Sequence, residues 1–202
     1  MVVYSYKETF VDGPLGTLHT FVAPLGTDSA DFKLVDLGSD PDTGLKYVAI
    51  TTDGDIPEQE EIIEFQKAEL PSLLLANFKD ARLQELSKVT AKYDAWKCED
   101  LYITSSLGAK YLADHRAQSN IADYIAQLSD DTTTVAYKDY DDVVHQLNKT
   151  QLTTLYTESK LNGENLYKLK WGYMSAISDA TTYSALDAVS FDFPMMDFSK
   201  SE

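Results

Sequence analysis

Cysteine occurs once in this 202-residue chain, at Cys98, so no internal disulfide can staple the fold and no cysteine cluster can hold a metal. Basic residues are scarce as well: 17 Lys and Arg stand against 33 Asp and Glu, a formal net charge of −16. A surface of that sign repels phosphate backbones and anionic headgroups, and no compact Lys/Arg patch overrides it. Nucleic acid is therefore not expected as a partner. Long apolar runs are missing too. Stretches such as Leu73–Ala76 fall far short of the roughly 20 residues that span a bilayer, so no membrane insertion is expected. No positively charged segment leads into an apolar one in the manner of a secretion signal, and the chain reads as made in a cytoplasm.

Signatures of chemistry are equally thin. The glycines are isolated, which excludes a phosphate-cradling loop or a dinucleotide fingerprint. His19, His115 and His145 fall on three different predicted elements with no metal-ligand spacing, and no cofactor is expected. Cys98 sits beside Glu99 and Asp100, a setting unsuited to a thiolate nucleophile. Ser105-Ser106 lacks the G-x-S-x-G elbow and is expected to satisfy nearby backbone groups. Carboxylate pairs exist at Asp53/Asp55, Asp130/Asp131 and Asp141/Asp142, all in predicted turns where Asp is favoured for backbone reasons. Asp40, Asp42 and Gly44 match a calcium loop only in part. The chain is read as a non-enzyme.

What is present builds a fold. Apolar residues make up 44% and aromatics 11%, enough for real cores. Strands are predicted at Val2–Tyr6, Leu18–Val22, Phe32–Val35 and Tyr47–Ile50, with turns at Asp12–Pro14 and Gly38–Gly44. A sheet this small needs the following helix or a partner chain to cover it. Pro57 begins a predicted helix, and the stripe Ile62, Phe65, Leu70, Leu73 or Leu74, Phe78, Leu83, Leu86, Val89 continues it, with a kink at Pro71 or two helices meeting near Leu70. The stretch Pro71–Lys97 could serve as a self-associating stalk or span one small domain.

From Leu101 to Asn120 the chain reads LYITSSLGAKYLADHRAQSN. Tyr102–Thr104 and Ala109–Leu112 flank a tight turn at Leu107-Gly108, and Asp114 is placed to cap a helix over about 115–128. A second hairpin follows, Thr132–Tyr137 against Tyr140–Leu147 with Lys138-Asp139 as its turn. Asn148 can cap a long helix running to Asp179–Thr182, which Gly163 either breaks or is tolerated in. Its packing face is assigned to Leu152, Leu155, Tyr156, Leu166, Leu169, Tyr173, Met174 and Ile177, with Trp171 beside them. The tail Phe191–Phe198 is either a strap over the chain's own core or an exposed docking peptide.

The T-S-S-x-G-x-x-Y-x-x-D hairpin, Thr104 to Asp114, followed by Q-x-N at Gln118–Asn120, resembles a helical domain of unknown function found in phage and prophage tail-fibre and baseplate proteins, whose hairpin has the form T-S-S-x-x-G-x-x-Y-x-x-D. The resemblance covers the second half of the chain. It implies a virion tail component working through contacts with other tail or baseplate proteins, as a homo-oligomer, and supplies no chemistry. The expected fold class is α+β: a β-rich docking module at 1–56, a long helix at 57–98, and a helical domain with two hairpins at 99–202. The 13 tyrosines and two tryptophans leave an alternative, a carbohydrate-binding module for host surface glycans. Tyr137 and Tyr140, flanking the second hairpin's turn, are then the exposed binding residues. A fibre-assembly chaperone is the third reading.

Overall fold

The computed structural model describes residues 2–7, 32–52 and 66–200. The predicted strand with His19, the Asp12–Pro14 turn, the Asp53/Asp55 pair, the helix start at Pro57, and Ile62 and Phe65 lie outside them. The architecture is α+β, and the chain divides into two compact units. One takes residues up to Arg82 together with Ile177–Val189; the other takes Leu83–Ala176 and the segment from Ser190.

In the first unit, β1 (Val2–Lys7), β2 (Phe32–Ser39), β3 (Leu45–Thr52) and β4 (Gln66–Lys67) form an antiparallel sheet in the order β2-β3-β1-β4. Its register sets Val35 and Val3 on either side of Ala49, a row of β-branched and small side chains on one face. Helix α1 (Ser72–Ala91) contributes Leu74 and Phe78 against that face, and the short helix α4 (Tyr183–Asp187) contributes Tyr183. The Phe78 and Tyr183 rings meet edge to face at 5.1 Å. The chain's own helices thus cover the sheet.

The helix predicted through Leu70 is not found over the described part of that stretch. Gln66 and Lys67 pair with Ser5 and Tyr4 of β1, and the Ala68 amide donates to the Val3 carbonyl at 3.0 Å. Pairing with a strand outweighs local helix propensity there, as tertiary context commonly does. Pro71 kinks nothing. It stands immediately before α1, its carbonyl accepting from Leu75, where a residue without an amide hydrogen loses no helical bond.

In the second unit the end of α1 passes into a 3-10 turn (Lys92–Asp94) and then the hairpin β5 (Tyr102–Thr104) and β6 (Lys110–Leu112). Gly108 takes φ of +86° at its tip, a conformation that disfavours side chains. Helix α2 (His115–Gln127) follows, capped by Asp114. The hairpin β7 (Thr134–Lys138) and β8 (Val144–Asn148) leads into α3 (Lys149–Asp179). A reciprocal cap starts α3. Asn148 accepts from the Gln151 amide at 2.9 Å, and the Gln151 side chain accepts from the Asn148 amide at 3.0 Å.

Gly163 does not break α3, which runs 31 residues unbroken. Leu152, Leu155 and Leu166 are buried along it with Ile103, Tyr111, Ile121 and Leu147 from the hairpins and α2. Trp171 is not part of this core: it is 64% exposed. The tail is a strap. The Thr104 amide donates to the Met196 carbonyl at 3.1 Å, Phe198 donates back to Thr104 at 2.7 Å, and Phe193 is buried.

Candidate functional site

The buried anchor of the second unit is Glu158, in the first third of α3. Its carboxylate accepts from Ser105 Oγ and Ser106 Oγ, each at 2.5 Å, and from the Ser106 amide at 3.1 Å. Ser105 and Glu158 are both buried. The two serines therefore fasten the β5–β6 hairpin to a helix more than 50 residues away. Ser105 Oγ also accepts from the Leu107 amide at 3.2 Å, the backbone role expected of it. A charged acceptor with three donors is a strong fastening in a dry setting. Sequence reasoning missed Glu158, one of three acids on a long helix with nothing local to mark it.

Asp114 is a second buried junction. One oxygen caps α2 by accepting from the Ala117 amide at 2.7 Å, and the other accepts from the Cys98 amide at 3.0 Å. Cys98 is buried.

The two residues assigned to binding diverge. Tyr137 is half-buried, against Tyr124 (ring centroids 6.1 Å) and Tyr111 (6.1 Å), so it belongs to an internal aromatic cluster and is no exposed platform. The period-2 alternation of β7 turns it inward. Burial, with the nearby Asp114 charge adding to it, pushes its phenol up to about 12. Below pH 10 the phenol is neutral folded or unfolded, so its burial carries no penalty. Above that the unfolded chain ionises first, and stability falls as pH rises towards about 12. We expect a spectrophotometric titration to show a tyrosinate forming near pH 12 that Tyr137→Phe removes.

Tyr140 stands in the hairpin's loop, 38% exposed. Lys110 Nζ lies 4.1 Å from its ring centroid and 3.5 Å from that of Tyr102, a cation held between two aromatic faces. The turn is longer than predicted, spanning Asp139–Val143. Asp139 organises it, accepting from the Asp141 amide at 2.9 Å, the Val143 amide at 2.8 Å and His145 Nε2 at 2.7 Å. The bond from His145 holds the Asp139 carboxyl below its usual 3.8. Asp142 adopts a φ of +62°, a conformation Asp tolerates, and pairs with Lys138 at 3.0 Å. Exposed Asp141 and Asp142 form the tip, and beside them Val143 and Val144, the latter opening β8, are 52% and 54% exposed.

The remaining candidates find structural places. Asp130 accepts from Thr132 and Asp131 from Thr150, and those bonds hold both carboxyls below their usual value. Asp40 is engaged by the Asp42 amide and the Thr43 hydroxyl of its own turn. Among the described residues no three His, Cys, Asp or Glu side chains group to hold a metal, and no helix is long and apolar enough to cross a membrane. His115 is exposed and lines a pocket of about 50 Å³, with Gly163 in the pocket wall.

Residues 80–190, more than half of the chain, match the model of a family described as Domain of unknown function (DUF4376). The chain belongs to this family. The DUF4376 segment contains the whole series from the β5–β6 hairpin through α4, including Glu158, Asp114 and the Asp139–Val143 loop. No curated protein and no solved structure matches the chain.

Proposed function

We propose that this DUF4376 chain is a structural component of a phage tail, baseplate or tail fibre, acting through protein–protein contacts in the assembled virion. The observation that carries the contact is the Asp139–Val143 loop. Tyr140, Val143 and Val144 are held outward on a turn whose backbone is pinned by the Asp139 carboxylate and by the Tyr140 amide bonded to the Lys110 carbonyl at 2.7 Å. A hydrogen-bonded loop that presents Tyr140, Val143 and Val144 around an acidic tip binds a protein with less loss of entropy than a free segment would. The tail context rests on the T-S-S-x-G hairpin and its resemblance to tail-fibre domains, and self-association in a symmetric assembly belongs to the same reading.

Val143 and Val144 support no core, so Val143→Asp with Val144→Asp leaves the fold intact while placing charges beside the tip. We expect the wild-type chain to co-sediment with tail particles or to form a discrete oligomer by light scattering. The double variant should lose that association about tenfold or more, at an unchanged thermal midpoint. A wild-type chain that is monomeric at every concentration and absent from purified virions would defeat the reading and favour an assembly chaperone.

A further inference from the structure

The pocket lined by His115 has the marks of a ligand site. Its walls are Leu101, Leu166 and Phe193, all buried, and Tyr93, whose ring lies 5.7 Å from that of Phe193. Gln118 and Lys170 add an amide and an amine. Gln118 uses its Nε2 to donate to the Ala113 carbonyl, while Lys170, half-buried, has no ion pair or hydrogen bond among the described residues. At the margin Asp94 accepts from the Tyr167 hydroxyl at 3.0 Å and fixes that ring. Tyr167 and Trp171, with centroids 6.3 Å apart, continue outward as a shelf that is 47% and 64% exposed.

Gly163 supplies a second and independent observation. A glycine within a long helix costs about 1 kcal/mol relative to alanine, and nothing about its backbone requires one, since its φ is not positive. It lines the pocket, and a Cβ built there meets no atom within 4 Å. The absent side chain leaves open the space that one would occupy.

We infer that this pocket and shelf bind a saccharide carrying an N-acetyl group. The C–H face of a pyranose ring stacks on an exposed indole or phenol, and Trp171 with Tyr167 offers both. An acetyl methyl suits a small cavity walled by Leu101, Leu166 and Phe193. Lys170 and Gln118 supply donor and acceptor for the acetamide and ring hydroxyls, with Asp94 accepting at the rim. A neutral sugar also suits a chain of net charge −16, which an anionic polymer would meet with repulsion. This site is separate from the Asp139–Val143 loop, and its occupancy does not depend on that loop docking a protein.

Replacing Trp96 by Phe leaves Trp171 as the single tryptophan of the full-length chain, reporting on the shelf. N-acetylglucosamine, its trimer and N-acetylgalactosamine serve as ligands, with glucose and cellotriose as controls. We expect a saturable Trp171 emission shift with at least one N-acetylated sugar at about millimolar Kd, and binding at least tenfold weaker for both controls. Trp171→Ala, followed by calorimetry, should weaken binding tenfold or more. Gly163→Met, which fills open space, should abolish it at a thermal midpoint equal to or above that of the wild type. No response to any N-acetylated sugar at about 20 mM would overturn the assignment and leave the shelf to a protein partner. Equal binding of the controls, or undiminished binding by Gly163→Met, would overturn it equally.

Discussion

Glu158→Ala is expected to lower the stability of the second unit by about 4 kcal/mol, among the largest losses any single change there should cause. The substitution removes the common acceptor of Ser105 Oγ, Ser106 Oγ and the Ser106 amide. Ser105 is fully buried, so its hydroxyl has no water to turn to. Loss of the carboxylate also frees the T-S-S corner from α3. Glu158→Gln keeps one acceptor oxygen and presents an amide donor to the remaining hydroxyl, which can rotate to accept it, so that variant should lose about half as much. Urea unfolding of the three proteins checks the order. If Glu158→Ala unfolds at the wild-type midpoint, the buried carboxylate is not the fastening described here.

The elements that were legible in the sequence are those whose cause is local. The β5–β6 hairpin follows from Gly108 between β-favouring segments, and the starts of α2 and α3 follow from Asp114 and Asn148, whose caps close within three residues. The misreadings have a remote cause. Gln66-Lys67 is a strand because β1 offers it an edge, which the Glu-rich sequence around it does not reveal. Trp171 follows Tyr167 at the same four-residue step that core positions use. Along α3 the buried Leu152, Leu155, Leu166 and Ile177 share one face, and Tyr167, Trp171 and Met174 lie about a quarter of a turn round from it. Periodicity identifies a stripe without saying which of two adjacent stripes faces inward.

The same distinction governs the sites. Tyr137 was expected outside because it flanks a turn, yet the pairing of Tyr137 with His145 fixes the parity that turns it towards Tyr111 and Tyr124. The Ser105–Glu158 junction and the pocket with Gly163 in its wall join residues more than 50 positions apart. Only an observed fold brings them together. A central glycine tolerated by a long helix was the one local sign of the pocket, and by itself it is equally consistent with a bend.

Asp114→Ala is expected to cost about 3 kcal/mol, more than the roughly 1 kcal/mol of an ordinary helix cap. The excess has a definite source. Asp114 is fully buried, and while one oxygen caps α2 through Ala117, the other accepts from the buried Cys98 amide, tying the segment after the 3-10 turn to the helix start. Alanine leaves two amides without their acceptor, one of them shielded from water. Asp114→Asn separates the two roles, because its carbonyl oxygen can cap Ala117 while its amide nitrogen meets the Cys98 N–H as donor against donor. The Asn variant should therefore recover the capping share and little of the rest. Denaturant unfolding measures both losses. Hydrogen exchange at Cys98 reads the second contact alone and should accelerate in the Asn and Ala variants alike. Full recovery by Asn, with Cys98 still protected, would reduce Asp114 to a simple cap and place the stability of this junction elsewhere.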